Sequence, residues 1–149
     1  MSRENVATVR AVYKRWSSGD FRAIRDVIDP EFVLVMRPEF PDAGLYRGVE
    51  RLAEYTRGFL EPWTRIAIEA EEITDAGDRV VAAVHQHGVG ADSGIPVELR
   101  YWQVWSFRDR KVIRLENFRE RSDALEAAGL GRSDRGDPPQ PKGGQTPFI

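Results

Sequence analysis

The chain of 149 residues contains no cysteine, so it can form no disulfide bond, thiol nucleophile or thiolate zinc site. It has no run of about 18 apolar residues that could span a bilayer. Its opening residues, MSRENVATVR, carry no apolar stretch typical of a signal peptide. These absences predict a cytoplasmic protein that makes no membrane contact.

An excess of positive charge is also missing. Lys and Arg number 22 against 24 Asp and Glu, and the formal net charge is −2. Nucleic acid is therefore not expected as a partner, because binding to phosphate backbones requires a basic surface. A chain of this length buries roughly 70% of its unfolded surface, which suits one domain with a real core.

Two helices and a strand are predicted in the first part of the chain. Val6, Val9, Val12, Tyr13 and Trp16 recur at spacings of three and four, which is typical of one apolar face of a helix. A shorter helix is predicted after Gly19, capped by Asp20 and ended by Pro30. Residues 31–37 (EFVLVMR) then predict a strand that is buried on both faces.

The loop PEFPDAGLYRG (residues 38–48), which we term the lip, is rich in proline and glycine and long enough to cover a site. A third helix is predicted over residues 49–63. The apolar period then changes to two, which predicts strands near 65–75, 79–89, 96–108 and 112–120, joined by short turns into an antiparallel meander.

The end of the chain differs in composition from the rest. Residues 123–130 (DALEAAGL) predict a last short helix capped by Ser122. Residues 131–149 are rich in proline and glycine and poor in apolar side chains, which is typical of a flexible extension. We therefore expect a domain over residues 1–130 and a flexible tail over residues 131–149.

Alternation along the last three strands separates two sets of side chains. One set carries large aromatic and aliphatic side chains with a few polar groups and no carboxylate, and it comprises Val81, Ala83, His85, His87, Leu99, Tyr101, Gln103, Trp105, Phe107, Ile113, Leu115, Asn117 and Arg119. Such a composition is typical of a pocket lining. The other set mixes charges with Trp102, Val104 and Phe118, as expected of a surface that a second subunit partly covers.

Five stretches, in this order, resemble a known family: VRAVYKRWSSGDFRAIRDVIDPEF, YRGVERL, DAGDRVV, VWSFRDRKVIRLENF and DALEAAGL. Over about residues 3–130 the chain resembles the SnoaL-like branch of the nuclear-transport-factor-2-like superfamily, whose relatives include ketosteroid isomerase, limonene epoxide hydrolase and polyketide cyclases. The resemblance implies an α+β cone, in which a curved, mostly antiparallel sheet wraps around N-terminal helices and a central pocket. It also implies a homodimer that pairs through the outer face of the sheet.

The resemblance places further residues in the pocket. Trp16 and Met36, together with Val12, would face the same space as the aromatic and polar set of the strands. The expected ligand-binding residues are Trp16, Met36, Tyr101, Gln103, Trp105, Asn117 and Arg119. Arg119 is either an anchor for a carboxylate near the mouth or a group turned to solvent.

Comparison with ketosteroid isomerase excludes one reaction. The position of its aspartate base falls on Met36, that of its tyrosine on Val12 and that of its protonated aspartate on Gln103. Methionine cannot accept a proton, so steroid isomerisation by that route is not expected. Gln103 could still donate a hydrogen bond to a carbonyl or enolate oxygen.

The histidines His85 and His87 are the predicted catalytic pair. An imidazole with a pKa of about 6.5 can accept or give a proton at neutral pH. Either histidine could therefore serve an isomerase, cyclase, hydratase or hydrolase that acts on a largely apolar carbonyl or hydroxyl compound. Gln103, Tyr101 or Asn117 would hold the oxygen of that compound.

Two other interpretations of the histidines stay open. A His-x-His pair offers two metal-ligand nitrogens, but a third ligand would have to come from a lip carboxylate such as Glu39 or Asp42. We expect neither a metal nor another cofactor. The alternative to an enzyme is a non-catalytic ligand-binding or dimeric interaction domain, in which the histidines only form hydrogen bonds.

One turn departs from the family pattern. Arg110 stands where relatives usually carry the glycine of Asp-Gly-Lys. A positive φ angle at this position would cost an arginine about 1 kcal/mol.

Overall fold

The computed structural model describes residues 2–130, so the predicted tail, residues 131–149, lies outside the described residues. The helices are α1 (Ser2–Trp16), a 3₁₀ helix (Phe21–Asp26), α2 (Gly48–Leu60) and α3 (Arg121–Ala127). The strands are β1 (Ile28–Met36), β2 (Gly44–Arg47), β3 (Trp63–Ala76), β4 (Arg79–Gly90), β5 (Pro96–Arg108) and β6 (Lys111–Phe118). No helix within residues 2–130 is both long enough and apolar enough to cross a membrane.

The strands form one curved six-stranded sheet in the order β2-β1-β6-β5-β4-β3. Only the pairing of β1 with β6 is parallel among these strands, and the other neighbours are antiparallel. Helix α1 packs against β3 and β4, and α2 packs against β1 and β2. The predicted α+β fold with a mostly antiparallel sheet is confirmed.

The segment after α1 differs from its prediction. Asp20 caps it by accepting a hydrogen bond from the Arg22 backbone N–H at 3.2 Å, as expected. However, the helix is of the 3₁₀ type, and β1 begins at Ile28, before Pro30. The pairing of β1 with β6 is interrupted between Ile28 and Val33. Proline is tolerated in this interval because the pairing needs no backbone N–H from it.

Two further boundaries differ from their predictions. The lip contains a short strand, β2, that pairs with the end of β1, because part of the loop is extended against an open sheet edge. Helix α3 begins at Arg121, and its cap residue, Glu120, makes no side-chain capping bond. The prediction that Ser122 caps α3 was wrong.

The two faces of the sheet are covered differently. The inner face packs on the buried side of α1, formed by Val9, Val12, Tyr13 and Trp16. On the outer face, Ala124 of α3 and Ala128, which directly follows the helix, join a small cluster that also contains Val81, Val104 and Phe118. The outer apolar residues that suggested a second subunit are thus covered, in part, by the chain's own last helix.

The turn between β5 and β6 carries the strain that its sequence predicted. Asp109 and Arg110 have φ angles of 51° and 70°, which is the left-handed region required at both central positions of a type I′ turn. Asp tolerates this region better than most residues, whereas Arg does not.

Replacement of Arg110 by glycine is expected to raise the free energy of unfolding by about 1 kcal/mol, because glycine adopts positive φ without strain. Denaturant unfolding measures the change. Arg110→Ala is the matched control, since it keeps the strained φ and loses only the exposed ion pair with Glu4 at 3.6 Å. An equal gain in both variants would show that backbone strain is not the cause.

Candidate functional site

A cavity of about 470 Å³ lies between the inner face of the sheet, the helices and the lip. Its wall is mostly aromatic and aliphatic, with a few polar groups. The lining residues are Trp16, Phe21, Ile24, Leu34, Met36, Phe40, Pro41, Asp42, Leu52, Tyr55, Thr56, Gly58, Phe59, Pro62, Trp63, Ile68, Gln86, Leu99, Tyr101, Gln103, Leu115 and Asn117.

Five predicted ligand-binding residues lie in this wall: Trp16, Met36, Tyr101, Gln103 and Asn117. Two others do not. Trp105 is fully buried behind the wall, and Arg119, just beyond β6, is exposed. Trp105 therefore belongs to the core. Of the two positions considered for Arg119, an anchor at the mouth or a group turned to solvent, the structure shows the second.

The predicted inward orientation of His85 and His87 was wrong. The hairpin pairs His85 with Arg100 and Val84 with Tyr101, so odd positions of β4 share a face with even positions of β5. Side chains directly opposite each other point to the same face of a sheet. Because Tyr101 faces the cavity, the histidines face outward, and Gln86 takes the lining position expected for them.

A chain of hydrogen bonds fixes the amides of the cavity floor. Trp105 Nε1 donates to the Tyr13 hydroxyl at 2.8 Å, and that hydroxyl donates to Gln103 Oε1 at 2.5 Å. Gln103 Nε2 then donates to Asn117 Oδ1 at 2.9 Å, and Asn117 Nδ2 donates to Met36 Sδ at 3.1 Å. Each amide nitrogen carries two hydrogens and uses one in this chain, which leaves one donor on each side chain for a ligand.

A second polar group surrounds Asp42, which comes from the lip. The Tyr55 hydroxyl donates to Asp42 Oδ2 at 2.6 Å, and the Tyr46 hydroxyl donates to the Asp42 backbone oxygen at 2.8 Å. Asp42 is the only carboxylate among the described lining residues. The sequence suggested it only as a metal ligand, because the lip has no periodicity from which an inward direction can be predicted.

Trp16 adds a buried donor to the same wall. Its side chain is nearly fully buried, and its Nε1 is the one buried side-chain N or O atom, among residues 2–130, that lacks a hydrogen-bond partner. An unpaired buried donor is costly, so natural proteins rarely keep one without a use. Trp16 thus brings to the cavity wall an indole N–H that no group within residues 2–130 uses.

The phenols around the cavity are held in the neutral form. Burial raises the pKa of Tyr13 well above its usual value. Burial also raises the pKa of Tyr55 and Tyr101, and the negative charge of Asp42 adds to both increases. These hydroxyls therefore remain hydrogen-bond donors across the neutral and mildly alkaline range.

The curved sheet, the helices that it wraps and the cavity between them define the nuclear-transport-factor-2-like architecture, also described as ketosteroid isomerase-like. The sequence profile of the SnoaL-like domain matches residues 9–115, which is more than half of the chain. The chain belongs to this SnoaL-like family, as its motifs predicted.

Solved structures agree on the fold. A protein from Jannaschia sp. CCS1 described as a SnoaL-like polyketide cyclase is 21% identical, with a TM-score of 0.67 over 78% of this chain and 85% of that chain. A nuclear-transport-factor-2-like protein from Burkholderia thailandensis E264 is 25% identical, with a TM-score of 0.68 over 85% of this chain and 95% of that chain. TerC, co-crystallised with polyporic acid, is 19% identical, with a TM-score of 0.68 over 85% of this chain and 98% of that chain. No curated protein sequence matches the chain.

The buried tyrosines predict that stability falls at alkaline pH. A tyrosine in the unfolded chain has a pKa of about 10, whereas Tyr13, Tyr55 and Tyr101 keep their protons in the fold to higher pH. Their contribution to the free energy of unfolding is complete below about pH 10, and it is lost as the pH rises toward the folded-state pKa values. Between the unfolded-state and the folded-state pKa, each tyrosine lowers the free energy of unfolding by about 1.4 kcal/mol per pH unit.

Denaturant unfolding at pH values on either side of about 10 measures this decline. Tyr101→Phe should lower stability at neutral pH but give a shallower alkaline slope, because one ionising group has been removed. A slope unchanged by this replacement would contradict the assignment.

Proposed function

We propose that the cavity binds a small, largely apolar organic molecule that carries a carbonyl or hydroxyl oxygen, and that Asp42 moves a proton on it. This proposal rests on the position of Asp42, which is the single carboxylate among the described lining residues, in a wall that is otherwise apolar or neutral. A volume of about 470 Å³ falls within the range of small-molecule sites.

Removal of a proton from the carbon next to a carbonyl needs a base for the proton and hydrogen-bond donors for the carbonyl oxygen, and the cavity has both kinds of group. Asp42 would take the proton from carbon, and the electron pair of the broken C–H bond would move to the carbonyl oxygen. Neutral donors stabilise that developing negative charge, and the available ones are the amides of Gln103 and Asn117 and the indole N–H of Trp16.

The fate of the enolate defines the reaction. Return of the proton from Asp42 to a different carbon gives isomerisation. In cyclisation the enolate carbon forms a bond to the carbon of a second carbonyl in the same molecule, the C=O π pair moves to that carbonyl oxygen, and the oxygen takes the proton from Asp42. The likeness to a protein described as a polyketide cyclase supports this substrate class. The co-crystallisation of TerC with polyporic acid supports a small organic ligand for a chain of this fold.

A purely binding role is the second candidate. The hydrogen bond from Tyr55 already occupies one oxygen of Asp42, at 2.6 Å. A carboxylate held in this way can anchor a ligand hydroxyl without accepting a proton from carbon. Turnover by Asp42 therefore has to be measured separately from binding.

The homodimer stays a prediction, as does the cytoplasmic location. Since α3 covers Val104 and Phe118, a partner would meet the rest of the outer face, where Arg100 pairs with Glu71 at 3.0 Å and with Glu98 at 3.3 Å. Sedimentation velocity of the full chain measures the oligomeric state.

Asp42→Asn should abolish proton abstraction while ligand binding persists, because asparagine keeps the shape but cannot take the proton. The probe is 2-tetralone in D₂O, whose α-hydrogen exchange is followed by NMR. Glu39→Gln is the matched control, since this lip carboxylate is exposed and does not line the cavity.

The double variant His85→Asn/His87→Asn should exchange 2-tetralone at the wild-type rate, because both imidazoles face outward. Loss of exchange in this variant, with Asp42→Asn unaffected, would return the catalytic role to the histidines. Binding of the probe with no exchange above the buffer rate in the wild type would favour the binding role.

Trp16→Phe should weaken binding of polyporic acid by about 5- to 10-fold, which corresponds to the loss of one hydrogen bond. Isothermal titration calorimetry measures the affinity. Trp63→Phe is the control, because Trp63 lines the same cavity and its N–H is not an unpaired buried donor. Equal losses in the two variants would show that ring size, rather than the indole donor, determines affinity.

A further inference from the structure

The outer face of β3 and β4 brings together three side chains that can ligate a metal ion. His85 and His87 project from the same face of β4, and Glu69 stands directly opposite His85 on β3. One ligand atom from each of these residues lies within 4.8 Å of the other two. We refer to Glu69, His85 and His87 as the outer triad.

The triad is already close to a coordinating arrangement. His87 Nε2 lies 3.4 Å from Glu69 Oε2, and the two imidazole centroids are 4.9 Å apart. In a tetrahedral zinc site with bonds of about 2.1 Å, ligand atoms are separated by about 3.4 Å. Small side-chain rotations close the remaining gap, and the 42% and 48% exposure of His87 and Glu69 leaves room for them.

The ligand types select the ion. Two imidazoles and one carboxylate suit late first-row divalent cations such as Zn²⁺, whereas Mg²⁺ and Ca²⁺ favour sites built from oxygen alone. Three protein ligands leave a coordination position for water, and in the single chain the partial exposure of the triad keeps that position open to solvent.

The surroundings favour a cation over an anion. Glu98 Oε1 lies 3.3 Å from His85 Nε2, where a carboxylate can orient the imidazole, and Glu71 is close by. Arg100 is the one cationic side chain, among the described residues, paired with these two carboxylates. Together with Glu69, the patch therefore carries three carboxylates against one guanidinium.

We infer that the outer triad of Glu69, His85 and His87 is a binding site for one divalent cation of the zinc class, separate from the cavity on the other side of the sheet. The sequence suggested a third ligand from the lip, such as Glu39 or Asp42. In this site the third ligand comes instead from the neighbouring strand. The bound ion would link the edge strand β3 to β4, and so would stabilise the folded chain.

The test uses the full chain without an affinity tag, freed of metal with a chelator. Titration with ZnCl₂ in a calorimeter should show one ion per chain. Glu69→Gln, His85→Asn and His87→Asn should each weaken binding by more than about 100-fold, because loss of even a group behind a ligand costs 10- to 100-fold. Glu72→Gln, an exposed carboxylate on the same strand outside the triad, is the matched control and should bind as the wild type does.

A second measurement needs no substitution. The chain has only two histidines, so the ring signals in its NMR spectrum report directly on the triad. Both should broaden on addition of one equivalent of Ni²⁺, whereas Mg²⁺ should leave them unchanged. The inference is overturned if the wild type binds no Zn²⁺, if His87→Asn binds it equally well, or if only one histidine signal responds to Ni²⁺.

Discussion

The pairing register of β4 and β5 determines what the cavity can do. A sheet alternates its side chains strictly, so one register decides for a whole strand which residues enter the interior. Here it places Gln86 beside Tyr101 in the wall, where the Tyr101 hydroxyl donates to Gln86 Oε1 at 2.7 Å. The same register moves both imidazoles to the outer face, beside Arg100. A slip by one residue would exchange the neutral lining for a charged one.

The interior combines apolar packing with polar groups that are almost all satisfied. Tyr13 accepts from Trp105 and donates to Gln103, so a core tryptophan and a wall amide are held by one phenol. Such a network orients the amides before any ligand arrives, which is the property that oxyanion stabilisation requires. The unpaired N–H of Trp16 is the exception among the described residues, and Trp16 lies in the cavity wall.

The sheet thus separates two kinds of chemistry. Its inner face has neutral donors, one carboxylate among the described lining residues and an enclosed volume, which suit proton transfer on an organic molecule. Its outer face has imidazoles on β4, a carboxylate beside them on the edge strand β3 and partial access to solvent, which suit a metal ion. Neither set of residues contributes to the other, so the two proposals succeed or fail independently.

The sequence by itself determined the order and type of most elements, the lip, the family and five lining residues of the cavity. These follow from local periodicity, turn residues and the combination of short motifs, all of which act over a few positions. It also located the strained turn at Arg110, because a positive φ depends on local geometry.

Tertiary structure alone decided the direction of His85 and His87, the inward position of Asp42 and the position of Glu69 beside the imidazoles. Each depends on how distant segments pair: a hairpin register, the path of an irregular loop, and a bulge between Ala70 and Glu72 in the pairing of β3 with β4. Periodicity predicts that residues of one strand share a face. Only pairing with the next strand decides which face that is, because alternation is identical in both registers.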